Sequence, residues 1–128
     1  MWKILPFIAA LAFFVGCNST AADNTALEPT RDQRMDSLAS EACGRYDACN
    51  GYGASKKFVD AAACKQSYTV KAAEIWPVAA CGNGRINNSN YSACVETVKQ
   101  VACTGDTWDG IVAGGSCSSG KVCTDPAH

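Results

Sequence analysis

The chain has 128 residues, 11 basic and 12 acidic side chains, a formal net charge of −1, and 48% hydrophobic residues. That length suits one domain, and the even charge balance leaves no clustered basic face of the kind nucleic-acid binding requires. Nine cysteines in so short a chain point to an exported, disulfide-bonded protein and away from the reducing cytosol.

Met1-Trp2-Lys3 gives the N-terminus a single positive charge, and residues 4–15 are all apolar or small. A run of about a dozen residues is too short to span a bilayer, which takes roughly 20, so the pattern reads as a cleavable export signal. Its end, Phe14-Val15-Gly16-Cys17, resembles a lipobox, with Phe14 where leucine is usual. Residues 1–16 are therefore expected to be a lipoprotein signal peptide. Cys17 becomes the lipidated first residue of the mature protein, with the membrane as its partner through acyl chains such as palmitate. Asn18, in place of the aspartate that favours inner-membrane retention in enterobacteria, leans the address toward the outer membrane. The competing cleavage site is Thr20-Ala21-Ala22, which would release a soluble secreted product. Residues 17–29 are small and polar without helical or strand period, the composition of a flexible tether.

Residues 30–128 are expected to form one all-α domain: three helices stapled by disulfides, with an irregular, disulfide-clipped C-terminal tail. Thr30 and Gln33 have capping-box spacing, and Met35, Leu38, Ala42 and Tyr46 follow on one helical face. Cys49-Asn50-Gly51-Tyr52-Gly53 should stop this first helix. Ser55 is the expected cap of a second, alanine-rich helix carrying Phe58, Val59, Ala62, Tyr68, Ala72 and Ile75 and ending before Pro77. Lys56-Lys57 then falls at a solvated helix start. Asn88-Ser89-Asn90 offers caps for a third helix on which Tyr91, Cys94, Val95, Val98, Val101 and Ala102 recur, closed by Thr104-Gly105. Trp108, Ile111 and Val112 make a short apolar cluster, and the glycines and serines beyond it have loop composition.

With Cys17 assigned to lipid, eight cysteines remain to pair. Cys43 and Cys49 on one helix are separated by a rise of about 9 Å, beyond the roughly 7 Å a disulfide tolerates between Cα atoms. Cys94 and Cys103 fail the same test. With helices running up, down and up, matching heights favour Cys43–Cys64, Cys49–Cys103, Cys81–Cys94 and Cys117–Cys123.

Catalytic machinery is not evident. The only histidine is His128, the last residue, and neither a phosphate-binding loop nor a nucleophile elbow occurs. No cofactor or metal is expected, because the cysteines lack the close Cys-x2-4-Cys pairs of zinc sites. Asp106, Asp109 and Asp125 lack the alternating pattern of a calcium loop. Trp76 and Trp108 are expected to fill the core. Exposed beside Tyr52 or Tyr68, they would instead form a stacking platform for a sugar or peptide.

The series Cys43-x5-Cys49, Phe58, Cys64, Trp76, Cys81, Tyr91, Cys94 and Cys103 is similar to that of small cysteine-rich lipoproteins of myxobacteria and their relatives. That resemblance implies the address and supplies no activity, ligand or site residue. The leading expectation is a membrane-anchored envelope lipoprotein with a non-enzymatic binding role toward an envelope protein or polymer. A carrier of a small apolar or aromatic ligand between the helices is the second. The third is an enzyme or inhibitor acting on envelope polymers through converging carboxylates such as Asp47, Asp60 or Glu74.

Overall fold

A computed structural model of the protein describes residues 29–124. The signal, Cys17, nearly all of the tether, Asp125 and His128 lie outside the described residues. The described part is mostly helical, in the order α1 (Arg31–Ala48), α2 (Ala61–Ile75), α3 (Val78–Cys81), α4 (Asn88–Gln100), α5 (Thr107–Ala113) and α6 (Ser119–Val122).

The first helix starts where its capping box dictates. The Thr30 hydroxyl accepts from the Gln33 N–H at 3.3 Å, and the Gln33 side chain accepts from the Thr30 N–H at 2.8 Å. It stops at Cys49 because Asn50 turns left-handed at φ 54°. The chain then folds back over the Tyr46 ring. A Cβ at Gly51 would lie 2.1 Å from that ring, so only glycine fits there.

The second helix begins later than expected, with Asp60 and not Ser55 as its cap; the Asp60 carboxylate accepts from the Ala63 N–H at 2.9 Å. Residues 53–58 are held in a loop by the Gly53 N–H on the Phe58 carbonyl, and buried Phe58 anchors that loop in the core. Lys56 and Lys57 therefore sit in the loop, not on a helix start. α1 and α2 run antiparallel, since Cys43 bonds Cys64 while Arg31 reaches the Trp76 and Ala73 carbonyls. Ala39, Ala42 and Ala72 have no exposed surface, and these small side chains are what let the two helices approach closely.

The fourth element runs parallel to α1. Its cap is Asn87, one residue before the expected candidates, and Arg34 meets Asn88 at its start. It ends at Gln100, short of Thr104-Gly105. There Val101 turns extended and gives its carbonyl to the Arg45 guanidinium at 2.7 Å, which draws the chain across the end of α1. Two short helices punctuate the tail. Asp106 caps α5, which buries Thr107, Trp108 and Ile111, while α6 buries Val122. The Asn87 N–H donates to the Val122 carbonyl at 2.8 Å, tying the end of the tail to the entry of α4.

Candidate functional site

Four disulfides frame the domain. Cys43–Cys64 joins α1 to α2, and Cys49–Cys103 joins the end of α1 to the segment after α4. The other two expected pairs are not formed: Cys81 bonds Cys123, and Cys94 bonds Cys117. Two features redirect them. The short α3 packs against α6, and Ile86 pairs antiparallel with Cys123, so the tail returns beside Cys81. Helix α6 then stands between Cys117 and Cys123, leaving Cys117 against α4, where Cys94 faces it.

The aromatic residues make core, not a stacking platform. Trp76 and Tyr68 have no exposed surface, and Trp108 and Phe58 are nearly as buried. Tyr52, Tyr46, Phe58, Tyr68 and Trp108 follow one another in ring contact, with centroids 4.9–5.7 Å apart. Tyr52 is half-buried, and its hydroxyl donates to the Cys43 carbonyl at 2.8 Å. At the other end of the domain Trp76 meets Tyr91 edge to face, and its indole N–H donates to the Cys117 carbonyl at 2.8 Å.

The most concentrated chemistry lies where the aromatic row meets α5. One Asp106 oxygen accepts from the Trp108 N–H at 2.8 Å and, more loosely, from the Tyr68 hydroxyl at 3.4 Å. The other accepts from Lys57, whose ammonium also stands 5.4 Å from the centroid of the Phe58 ring. Burial pushes the Asp106 carboxyl up, but the Lys57 and Trp108 hydrogen bonds outweigh it and hold the group below its ordinary range. Burial, then the neighbouring Asp106 charge, pushes the Tyr68 hydroxyl far up, so it stays protonated. No buried side-chain polar atom of this cluster lacks a partner, and the arrangement works as a latch between the α1–α2 loop and α5.

That latch has a pH signature. A carboxyl depressed in the folded state stabilises fully above its unfolded value near 3.8, and its contribution is lost as pH falls through the lower folded value. Asp106→Asn keeps a capping side chain but no charge, so its urea midpoint is expected to fall less steeply than the parent's in that acid window. Asp106→Ala loses the cap as well, about 1 kcal/mol at neutral pH. Parallel acid limbs for the parent and Asp106→Asn would remove the charge from the account.

Of the remaining candidate carboxylates, Asp47 at the end of α1 and Asp60, the α2 cap, lie at one end of the domain, where burial and then their charges push the Tyr52 hydroxyl up. Glu74 is exposed at the opposite end of the helix pair, so the three do not meet. Asp109 is exposed in the first turn of α5. Among the described residues no group of three or more His, Cys, Asp or Glu side chains could hold a metal, and no helix is long and apolar enough to cross a membrane. The Lys57–Asp106 latch was invisible to sequence reasoning, since its partners are 49 residues apart and neither belongs to a motif.

No curated protein and no solved structure matches the chain. A family of unknown function, DUF6184, matches residues 43–125, a stretch that begins at the first framework cysteine and contains all four disulfides. More than half of the chain is covered, and the protein belongs to that family.

Proposed function

We propose that the protein is a lipid-anchored lipoprotein of the bacterial cell envelope. Residues 1–16 are its signal, Cys17 carries the lipid, and the disulfide-locked domain is a non-enzymatic module for binding an envelope protein or polymer. One observation carries the reading. The four disulfides use eight of the nine cysteines among themselves, and the one left over is Cys17, directly after the apolar run that ends Phe14-Val15-Gly16. Disulfides at this density belong to an oxidising compartment, which agrees with export. Each buried methylene of an acyl chain contributes roughly 0.8 kcal/mol, so the several chains of a bacterial lipoprotein make a permanent anchor. Aromatic side chains used as core, and Glu74 standing at the opposite end from Asp47 and Asp60, favour the binding role over the carrier and the enzyme.

Mass spectrometry of the protein extracted from its own envelope tests this, run with and without reduction. The expected mass begins at Cys17, includes the acyl chains, and rises on reduction by two protons for every disulfide. A soluble, unacylated product beginning at Asp23 would overturn the anchor and leave a secreted domain.

A further inference from the structure

The two ends of the helical bundle differ in chemistry, and one of them is the end from which the chain leaves toward Cys17. Pro29 and Thr30 precede α1 directly, and the start of α1 lies beside the end of α2, the short α3, the entry of α4, and α6. On this end Pro77, Val78 and Ala79 are exposed in sequence; Val78, at 67%, is the most exposed large apolar side chain among the described residues. Cationic groups surround that tip. Arg31 reaches the Trp76 carbonyl at 2.6 Å, and Arg85 reaches the Ala79 carbonyl at 2.9 Å. The Arg34 guanidinium lies 4.3 Å from the centroid of the Tyr91 ring. Lys121 is exposed on α6, its carbonyl held by the Asn90 side chain. Against these four stand Asp32, which pairs with Arg31, and exposed Glu74. At the other end Asp47, Asp60, Asp106 and Asp109 are matched by Arg45, Lys56, Lys57 and Lys99, so no such excess of basic groups stands there.

We infer that this end is a membrane-seating surface: the Pro77-Val78-Ala79 tip enters the headgroup layer while the ring of basic side chains meets anionic phospholipid headgroups. The inference rests on the lipoprotein reading for its tether. About a dozen residues separate Cys17 from Pro29, a length of chain that reaches at most about 40 Å. α1 is roughly 27 Å long, so the opposite end lies that much farther along the bundle from the point where the tether joins. Anchoring therefore keeps the basic end at high local concentration against the surface. Exposed apolar side chains flanked by Arg and Lys have the amphipathic chemistry of an interface, and the electrostatic part acts within a Debye length of the headgroups. The domain then docks in one orientation and turns its opposite end, with the Lys57–Asp106 latch, outward.

Val78→Trp in the mature protein reports on this directly. The protein is reconstituted into phosphatidylethanolamine–phosphatidylglycerol vesicles whose acyl chains are brominated or not. The introduced indole is expected to emit further to the blue in vesicles and to lose emission when the chains are brominated. Adding Arg85→Gln and Lys121→Gln should restore much of that emission. The parent, whose Trp76 and Trp108 are buried, should show little quenching. Unchanged emission of the introduced indole in brominated vesicles, with acylation of Cys17 verified by mass, would overturn the seating surface and leave the anchor standing. If Cys17 carries no lipid, the proposed function fails separately. The same protein added from solution still tests the surface: quenching by brominated anionic vesicles supports it, and none overturns it.

Discussion

Trp76→Ala is expected to destabilise the domain by about 3–5 kcal/mol, a large share of the 5–15 kcal/mol typical of a small protein. Trp76 heads the large side chains with no exposed surface, and three separate ties meet at it. Its ring packs edge to face on Tyr91, its indole N–H satisfies the Cys117 carbonyl, and its own carbonyl accepts from Arg31. Alanine removes the ring and leaves a cavity between α2, α4 and the tail. Trp76→Phe separates the contributions, because it keeps an aromatic ring while removing the donor to a buried carbonyl, at a cost of about 1–3 kcal/mol. Urea unfolding under non-reducing conditions measures both. Equal losses for alanine and phenylalanine would assign the whole effect to the hydrogen bond. A loss below 1 kcal/mol for alanine would contradict the packing described.

The second large effect is expected at Cys49–Cys103. This bridge closes the longest loop of the four, a separation of 54 residues, so replacing both cysteines by alanine should cost about 4 kcal/mol. It is also the least covered. Cys103 is exposed and Cys49 half-buried, whereas each other bridge has at least one cysteine almost fully buried. Because thiol–disulfide exchange needs access to sulfur, a dithiol titration should open this pair first. Trapping the freed thiols by alkylation and mapping them by mass spectrometry reads the order. Modification of Cys81 and Cys123 ahead of Cys49 and Cys103 would reverse it.

What could be read from the sequence follows the range over which each feature is decided. The Thr30–Gln33 box and the Tyr91, Cys94, Val98 face are local patterns, and both helices stand where those residues place them. The start of α2 was misplaced because Ser55 and Asp60 are equally good caps in isolation. The choice belongs to Phe58, which must reach the core before the helix can begin. The tail helices of four and seven residues are too short to show a helical period, so their glycines and serines read as loop. Cys43–Cys64 and Cys49–Cys103 depend only on two or three long helices lying side by side. Cys81–Cys123 and Cys94–Cys117 depend on how α3 and α6 return the chain, which no spacing records. The same holds for Lys57 with Asp106, and for the grouping of Arg31, Arg34 and Arg85 around one end.

The order in which the bridges overlap along the chain decides what a protease can release. Any single cut between Cys43 and Cys123 is spanned by at least one disulfide, so a nicked molecule stays in one covalent piece. Between Cys64 and Cys81 that protection comes from Cys49–Cys103 alone. A cut between α2 and α3, followed by opening of this one bridge, leaves α1 and α2 on the N-terminal side and removes the covalent hold on α3 to α6. The N-terminal piece would then keep only the two helices joined by Cys43–Cys64.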